Sequence, residues 1–568
     1  MGEALVLNSD PSARSISTHT AAVTLPKLFP LPGAVVMGVA FAVVIPFFFL
    51  GNASGHDFEF HVLSWMEVVN QWRQGIVYPR WAQFAHWAYG EARFLFYPPA
   101  SWNLGAILGV LLPWKAAPGA YVWLALTASG CSMFLLARRW LSRNDAIFAA
   151  ALYAANPYYI VVVYWRSAMA ELLAGCLLPL LLLLILRSEE DGARVIAPLT
   201  LVVASAWLTN APSAVMVNYS LALLIVAAAI VLRRPRLLLY GGAAVVLGAG
   251  LASFYLIPAA YEEKWVNIAE VLAPGLRPQD NFFFTMLNDP EHNRFNLLVS
   301  AVGVSEVLAL VAVLVLSRKN KNRLWYLCAV WGMAAALLML PVTTIFWSYL
   351  PKLRFVQLPW RWLLCLNVPF ALLVTIGLRR WLNRFLLCGA MLCVLWMVWH
   401  RVQPPWWDTA ADIQEMHDFI ADGEGYEGTD EYVPKGVDPY ELKKDAPRVA
   451  AVSGNPVLVR IDQWGAESKA FSAQVSRAET LRLRLLNYPA WSVEVNGRPV
   501  PTRSQPVTGE LLFPISPGIN RVYVRFLQTR DRLIGGCVSI ATLIIFVGGT
   551  FYLRRARPRR TEARLRPA

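Results

Sequence analysis

Long apolar stretches recur along almost the whole chain, and short polar or basic segments separate them. Most are close to the roughly 20 apolar residues that a helix needs to cross a bilayer. The pattern therefore predicts a polytopic α-helical membrane protein. The predicted spans are 31–50, 118–137, 145–163, 169–187, 195–209, 213–232, 238–257, 296–316, 324–341, 361–378, 385–400 and 533–553.

The apolar segment 101–114 is ambiguous, because about fourteen residues are too few for a span. The positions of the basic residues decide whether this segment crosses the membrane. With the N-terminus in the cytoplasm, the arginine-rich connections near 138–143, 233–236, 318–323 and 379–384 all lie inside, as the positive-inside rule requires. A full crossing at 101–114 would put them outside, so we interpret this segment as re-entrant or interfacial. Both termini are then cytoplasmic.

This topology divides the chain into four parts. They are a cytoplasmic N-terminal segment (1–30), a transmembrane domain (31–400), an exoplasmic domain (401–530), and the last helix with a basic cytoplasmic tail (531–568). The exoplasmic pieces of the transmembrane domain are the first loop 51–117, a short turn around 165–171, and the loops 258–295 and 342–360.

The exoplasmic domain is predicted to begin with a helix near 408–421 and to continue as strands. Apolar and polar residues alternate there, and Asn496-Gly497 and Pro517-Gly518 supply turns. This pattern predicts an antiparallel, sandwich-like domain, and the absence of cysteine means that no disulfide stabilises it. The predicted strands lie near 457–464, 471–476, 481–487, 491–497, 509–515 and 521–527.

Composition agrees with a membrane protein. The 568 residues are 57% hydrophobic and 15% charged, below the roughly 25% charge of soluble domains. The net charge of +14 comes from basic residues at the ends of apolar segments, which orient helices and do not indicate nucleic acid.

All seven cysteines lie in apolar segments without metal-ligand spacing. No P-loop, G-x-G-x-x-G or H-E-x-x-H motif is present, so a donor carried by a lipid fits better than a soluble nucleotide.

The first loop holds the candidate chemistry. Apolar residues recur every three or four positions from Phe58 to Trp72, which predicts an amphipathic helix on the membrane surface. Asp57, just before this helix, is either an N-cap or a general base or metal ligand. Glu59 points about 200° away from Asp57 if both are helical, so they share a site only if Asp57 lies before the first turn.

The loop 342–360 and the start of the next helix carry positive charge on the predicted outer face, against the orientation rule. Lys352, Arg354 and Arg361 supply it, and no acidic residue lies nearby in sequence. Clamping a lipid phosphate explains these cations, and so does snorkelling to headgroups without a site. In the short turn, Arg166 and Glu171 are expected to pair with each other.

Several motifs resemble a known bacterial membrane-protein family, the one described as 6-pyruvoyl-tetrahydropterin synthase-related. A module at 487–497 (NYPAWSVEVNG) is similar to the C-terminal part of YfhO-like membrane proteins. A pterin synthase needs a soluble zinc site with clustered histidines, whereas these seven histidines are scattered. The matching motifs are 56–61 (HDFEFH), 78–81 (YPRW), 90–99 (GEARFLFYPP), 357–362 (QLPWRW) and 426–432 (YEGTDEY).

The wider resemblance is to GT-C type glycosyltransferases, such as protein O-mannosyltransferases and aminoarabinose transferases. It implies a polyprenyl-phosphate sugar as donor and a catalytic acid just after the first span, where Asp57 stands with Glu59 as its neighbour. The two adjacent acids of several members are missing here, so a divalent metal, Mg²⁺ or Mn²⁺, stays an open question. The cations Lys352, Arg354 and Arg361 are then expected to bind the donor phosphate.

The leading hypothesis is a glycosyltransferase (EC 2.4 class) of the bacterial inner membrane, acting on a glycan or envelope-polymer acceptor. A flippase or other transporter of lipid-linked sugars, and a non-catalytic envelope-assembly protein, are the alternatives. The sequence does not define the sugar, the acceptor or the oligomeric state. Further residues expected in the pocket are His61, Arg80, Tyr97 and Asp280.

Overall fold

The computed structural model describes residues 31–318 and 321–555. The predicted N-terminal segment 1–30, Lys319 and the tail arginines Arg557, Arg559 and Arg560 lie outside these ranges. Within them the chain forms a bundle of helices followed by a β domain of two larger sheets and a last long helix.

Helices make up most of the chain up to residue 400. The first twelve are α1 (Pro32–Val44), α2 (Phe47–Leu50), α3 (Phe58–Arg73), α4 (Ala85–Ala88), α5 (Arg93–Phe96), α6 (Pro99–Leu111), α7 (Ala117–Ala137), α8 (Arg143–Ala154), α9 (Pro157–Val161), α10 (Met169–Ala174), α11 (Leu177–Asp191) and α12 (Ile196–Thr209). The others are α13 (Ala211–Val231), α14 (Arg236–Leu251), α15 (Ser253–Glu262), α16 (Pro290–Ser317), α17 (Arg323–Leu338), α18 (Thr344–Tyr349), α19 (Leu363–Gly377), α20 (Trp381–Met397), α21 (Ala410–Ala421) and α22 (Arg530–Arg555).

Nine helical segments in the described ranges are long and apolar enough to cross a membrane. The pairs Arg236–Leu251 with Ser253–Trp265 and Arg323–Leu338 with Pro341–Tyr349 are bent by 75° and 92°, and the number is eleven if each pair is one span. The prediction has twelve spans because it counts 169–187 and 195–209 separately. In the structure these two form one helical segment, Met169–Thr209. Gly192 interrupts it with a φ of 55°, and α11 and α12 contact each other across this turn.

The segment 101–114 forms the short helix α6, whose 13 residues are too few to cross a bilayer. This helix packs on α3. Gly105 of α6 lies against the indole of Trp65, and a Cβ at this position would collide with that ring. Glycine therefore permits the close approach of the two helices.

The helix that follows the first span, α3, does not expose the polar face that a surface helix was expected to have. In α3 the polar residues Ser64, Glu67 and Gln71 are as buried as the apolar ones. Helices α6 and α21 pack on α3, and the segment 81–93 contacts its polar face. Gln71 donates to the carbonyl of Trp81 at 2.8 Å, and Oγ of Ser64 accepts from Arg93 at 3.0 Å. Periodicity identifies an apolar face, but it does not show which distant segments cover the polar face.

The strands of the β domain lie where alternation predicts them. Three short strands occur in addition, at Val449–Ala451, Arg498–Val500 and Arg503–Ser504. A two-stranded pair joins β1, at the start of the first loop, to β2, just before α21. The two larger sheets have the orders β3-β6-β10-β9 and β4-β5-β11-β7-β8 and are antiparallel. The strands are β1 (Asn52–Ala53), β2 (Trp407–Asp408), β3 (Val449–Ala451), β4 (Leu458–Trp464), β5 (Ser468–Val475), β6 (Glu479–Leu486), β7 (Trp491–Val495), β8 (Arg498–Val500), β9 (Arg503–Ser504), β10 (Glu510–Ile515) and β11 (Gly518–Phe526).

Inward-facing residues of both larger sheets form one hydrophobic cluster, so the domain is a β-sandwich. The first loop is part of this core. The indole of Trp81 lies 5.7 Å from the ring of Tyr488 and 5.6 Å from that of Phe526. Glu262 of α15 accepts hydrogen bonds from the hydroxyl of Tyr488 in the sandwich at 2.6 Å and from Arg532 of α22 at 2.7 and 2.8 Å. The sandwich is therefore fixed to both the first loop and the helices.

Candidate functional site

Asp57 lies at the start of α3 with its carboxylate free of the helix. It occupies the N-cap position, but its side chain makes no capping hydrogen bond, so the capping alternative is wrong. Its backbone N–H donates to the carbonyl of Arg166 at 2.8 Å. The Asp57 side chain is 40% exposed, and its Oδ2 lies 3.6 Å from Nη2 of Arg166. This carboxylate is accessible to a second molecule and lies beside a guanidinium group.

The turn that carries Arg166 has unusual backbone. A π-helical turn spans Val162–Arg166, and Ser167 follows it with a left-handed φ of 50°. Such conformations cost about 1 to 3 kcal/mol and tend to occur at functional sites. The N–H of Gly55 donates to Oγ of Ser167 at 2.9 Å, and a Cβ at Gly55 would lie 2.5 Å from the carbonyl carbon of Trp165. Gly55 thus lets the entrance of the first loop dock against this turn.

Two buried guanidinium groups meet one buried carboxylate beside Asp57. Oε2 of Glu171 lies 2.6 Å from Nη1 of Arg166 and 3.2 Å from Nε of Arg361. The hydroxyl of Tyr158 donates to the other oxygen of Glu171. The expected pair of Arg166 and Glu171 therefore forms, and Arg361 joins it from a distant part of the chain. We call Asp57, Arg166, Glu171, Arg361 and Tyr158 the Asp57 cluster.

Both guanidinium groups of the Asp57 cluster are held by further contacts. Nη1 of Arg361 donates to the carbonyl of Val356 at 2.8 Å and to Oε1 of Gln357 at 3.0 Å. The guanidinium of Arg166 lies over the ring of Trp360, 4.9 Å from its centre. The positive charges are thus fixed in place before a ligand arrives, which is what electrostatic stabilisation of a reaction requires.

His61 and Tyr97 line the same region. The backbone N–H of His61 donates to the backbone carbonyl of Asp57 at 3.1 Å. Burial lowers the pKa of the His61 imidazole to about 4, so the ring is neutral at neutral pH. The ring of Tyr97 lies 5.8 Å from that of His61 and 4.9 Å from that of Phe60. Burial and the nearby charge of Asp57 raise the pKa of Tyr97 well above its usual value.

Glu59 lies in different surroundings, although Asp57 does precede the first turn of α3. Partial burial, and then repulsion from Asp408 and Glu427, raises the pKa of Glu59. Across the described ranges no ion pair joins Glu59 to a cation, whereas Arg166 reaches Asp57. The structure does not bring Asp57 and Glu59 to one partner.

Arg80 and Asp280 have partners away from the Asp57 cluster. Nη1 of Arg80 lies 3.8 Å from Glu467 of the β-sandwich. Oδ2 of Asp280 accepts from the N–H of Gly275 at 2.9 Å and from Nε of Arg277 at 3.1 Å. These contacts give both residues a role in holding loops together.

Lys352 and Arg354 lie at the surface, on the loop that leads to Arg361. Nζ of Lys352 lies 3.5 Å from Glu263, an acid that is distant in sequence. Arg354 is exposed, with its guanidinium 5.1 Å from the ring centre of Phe355. Of the three cations expected to bind a phosphate, only Arg361 has a contact in the Asp57 cluster.

The described residues do not fit a protein-held metal centre. Among them, no three His, Cys, Asp or Glu side chains come together in a way that could hold an ion. The charged neighbour of Asp57 is a guanidinium, which repels a cation. Mg²⁺ and Mn²⁺ prefer several oxygen ligands, so an ion here would take most of them from water or phosphate.

A second buried group of charges, which the sequence did not predict, lies within the first loop. Glu91 lies 2.5 Å from Nε of Arg93 and 2.9 Å from Nε2 of His86, and it accepts the N–H of Thr429 at 2.8 Å. Burial opposes ionisation, but the charge of Arg93 and the adjacent imidazole of His86 lower the pKa of Glu91 to about 2. A Cβ at Gly428 would collide with His86. We call Glu91, Arg93, His86 and Thr429 the loop cluster.

Three members of the Asp57 cluster were not expected at a site, and two of them have a recognisable signal in the sequence. Arg166 and Glu171 stand next to apolar spans, where ionisable side chains are costly and tend to be functional. Nothing in the sequence connects them to Arg361. The contribution of Tyr158 has no sequence signal, because tyrosine is common near membrane interfaces.

Fold and site together define a polytopic helical membrane protein with a buried charge cluster under its first loop. The chain belongs to the membrane-protein family described as the 6-pyruvoyl-tetrahydropterin synthase related domain, whose profile matches residues 94–403, more than half of the chain. This confirms the family that the sequence motifs indicate. The similarity of 487–497 to YfhO-like proteins lies outside the matched region. No curated protein sequence matches the chain.

Some solved structures share a weakly similar backbone. ArnT from Cupriavidus metallidurans, bound to undecaprenyl phosphate, is 14% identical with a TM-score of 0.41, over 65% of this chain and 62% of ArnT. The mycobacterial arabinofuranosyltransferase AftD is 17% identical with a TM-score of 0.38, over 64% of this chain and 27% of AftD. The oligosaccharyltransferase of Archaeoglobus fulgidus is 13% identical with a TM-score of 0.31, over 71% of this chain and 57% of that enzyme. The chain thus spans less than two thirds of each.

Proposed function

We propose that this protein is a glycosyltransferase of the bacterial inner membrane. It transfers a sugar from a polyprenyl-phosphate donor to a hydroxyl group of a glycan or envelope polymer on the outer side. The observation that carries the proposal is the half-exposed carboxylate of Asp57 beside the two fixed guanidinium groups of Arg166 and Arg361.

In the proposed reaction Asp57 is the general base. It takes the proton of the acceptor hydroxyl, and the acceptor oxygen forms a bond to the anomeric carbon of the sugar. The bond from that carbon to the phosphate oxygen breaks, and polyprenyl phosphate leaves with the electron pair. The proton on Asp57 then returns to water through its exposed side.

The charges of the Asp57 cluster suit this step. Before the reaction, the negative charges of its two carboxylates balance the positive charges of its two guanidinium groups. When Asp57 takes the proton, the cluster gains a net positive charge as the departing phosphate gains a negative one. Arg361, which Val356 and Gln357 hold in place, is the proposed contact to that phosphate. Lys352 and Arg354 are proposed to attract the lipid phosphate to the rim.

The proposed orientation follows from the basic connections between spans, which put both termini in the cytoplasm. The first loop, the Asp57 cluster and the β-sandwich are then on the outer side. Membrane lipids surround the helices, the donor reaches Asp57 from the outer leaflet, and the acceptor comes from the envelope. No metal has a step in this mechanism.

The test is sugar transfer by the purified full chain in lipid nanodiscs, with a panel of polyprenyl-phosphate hexoses and pentoses and an envelope extract as acceptor. Asp57→Asn should lower the rate by about 10²- to 10⁴-fold, because the base is lost while the shape is kept. Its yield and melting temperature should match those of the unmodified protein. Glu59→Gln, two residues further along, is the matched control and should keep most of the activity.

Full activity of Asp57→Asn would overturn the assignment, and so would an equal loss in Glu59→Gln. Movement of the lipid-linked sugar across a vesicle membrane without a new glycosidic bond would instead identify a flippase.

A further inference from the structure

A cleft of about 510 Å³ lies between the C-terminal end of α3 and the five-stranded sheet of the sandwich. It is at the opposite end of α3 from Asp57. Its lining combines the aromatic residues Trp464 and Phe526 with amides, charged groups and a small apolar edge. The residues that matter here are Gln74, Ile76, Gln463, Trp464, Glu467 and Arg525.

The floor of the cleft is held in place by the first loop. Oε1 of Gln74 accepts the N–H of Ala466 at 3.0 Å, and Nε2 of Gln83 donates to the carbonyl of Trp464 at 3.3 Å. The turn between β4 and β5 is closed by the N–H of Gly465, which donates to the carbonyl of Ser468 at 2.8 Å. Two separate parts of the chain therefore build a fixed surface.

The charges in the cleft are balanced, which argues against an anionic ligand. Glu467 lies 3.8 Å from Arg80, and Arg525 lies 3.2 Å from Glu494. Each guanidinium thus already has a carboxylate partner. A phosphate or a lipid headgroup would have to compete with these acids.

The hydrogen-bonding groups instead suit a ligand that donates and accepts many hydrogen bonds. Glu467 lines the cleft with a partly exposed side chain, and its carboxylate can accept a hydrogen bond from a hydroxyl group. The side chain of Gln463 is exposed, its amide nitrogen donates to Oγ of Ser468 at 3.0 Å, and its carbonyl oxygen can accept from a ligand. The half-buried indole of Trp464 supplies a flat apolar surface. A sugar ring combines a flat C–H face with a rim of hydroxyl groups.

We propose that this cleft binds a neutral saccharide, as a subsite for the acceptor. The inference rests on the proposed function, because it names the acceptor class of the same reaction. Asp57 and Gln74 are separated by the length of α3, about 25 Å at 1.5 Å per residue. A single molecule that fills the cleft and also reaches Asp57 must be an extended oligosaccharide or polymer.

The test is binding of the purified full chain, in detergent, to an array of neutral oligosaccharides of increasing length. Trp464→Ala should weaken binding by about tenfold, the value of one aromatic contact. Trp464→Phe should retain part of the affinity. Gln463→Ala, an exposed position that cannot disturb the core, should also weaken binding. Leu458→Ala, exposed on the same strand β4, is the matched control and should bind like the unmodified protein.

Failure of this inference is distinguishable from failure of the proposed function. Asp57→Asn should bind the saccharides normally and lack only transfer, so binding by that variant tests the cleft alone. Absence of saccharide binding by the unmodified protein, or unchanged binding by Trp464→Ala and Gln463→Ala, would overturn the cleft assignment. Loss of binding to phosphatidylglycerol vesicles in those two variants, without an effect on saccharides, would show that the cleft is a lipid site.

Discussion

The Asp57 cluster and the loop cluster are built from the same kinds of residue but differ in access to solvent. In each, guanidinium and carboxylate groups meet in a buried setting. Asp57 stands at the edge of its cluster and is 40% exposed, whereas Glu91 and Arg93 are 0% and 1% exposed. The segment 425–432 closes the loop cluster, with the N–H of Thr429 donating to Glu91.

This difference separates two uses of buried charge. An ion pair that is closed to solvent fixes how segments pack, and removal of one partner destabilises the fold because the other charge stays buried. A cluster with one accessible carboxylate can take a proton from another molecule and change its net charge. Helix α3 connects the two, because Asp57 stands at its N-cap and the ring of its Phe60 lies 4.4 Å from the guanidinium of Arg93.

The largest expected effect on stability is in the loop cluster. Glu91→Gln leaves the buried guanidinium of Arg93 without its charged partner, so the free energy of unfolding should fall by about 3 to 5 kcal/mol. Thermal denaturation of the purified chain would measure this. The double variant Glu91→Gln with Arg93→Met should lose less than the sum of the two single changes. Additive losses would show that the two side chains do not stabilise each other.

In the Asp57 cluster the expected effect is on activity. Arg361→Lys keeps a positive charge but loses the forked contacts to Val356, Gln357 and Glu171, so kcat/KM for the donor should fall by about 10²- to 10³-fold. Glu171 keeps Arg166 as a partner, so the fold should persist.

Arg384→Lys is the matched control for Arg361, because this buried arginine pairs with Asp145 at 2.7 Å, at the start of α8. It should lower the melting temperature without changing the activity of the folded fraction. Equal losses of activity in the two variants would mean that Arg361 acts through stability alone.

Local patterns predicted much of the architecture. Apolar runs identify the spans, and alternation with Asn496-Gly497 identifies the hairpin between β7 and β8, where both residues have positive φ. The burial of the polar face of α3 was not predicted, because the segment 81–93 and Tyr426 cover that face. Burial of a polar face depends on contacts between distant segments, which periodicity does not contain.

The candidate site was predictable only in part, for the same reason. The position of Asp57 after the first span is a local feature, and the Arg166–Glu171 pair spans one short turn. The convergence of Arg361 on Glu171 depends on how α19 packs in the bundle. The partners of Lys352 and Arg80, namely Glu263 and Glu467, likewise come from distant loops.

The smallest expected effect concerns Glu67, which links α3 to the segment that closes the loop cluster. Its carboxylate accepts from the N–H of Phe84 at 2.6 Å and from the hydroxyl of Tyr426 at 3.2 Å. Burial nevertheless raises the pKa of Glu67 from 4.5 to about 7. Between these two values the native state keeps a proton that the unfolded chain has lost, so this group lowers stability as pH rises through that window.

Glu67→Gln cannot ionise and should therefore gain stability relative to the unmodified protein as pH rises from 4.5 to 7, by at most about 1.4 kcal/mol per pH unit. Above pH 7 the difference should stay constant. Melting temperatures at a series of pH values would measure it, with Glu415→Gln, an exposed position on α21, as the control that should show no such trend. A pH-independent difference for Glu67→Gln would mean that its hydrogen-bond donors outweigh burial. Glu67 would then be ionised across this range, as Glu91 of the loop cluster is, and the contrast with Asp57 would rest on access to solvent alone.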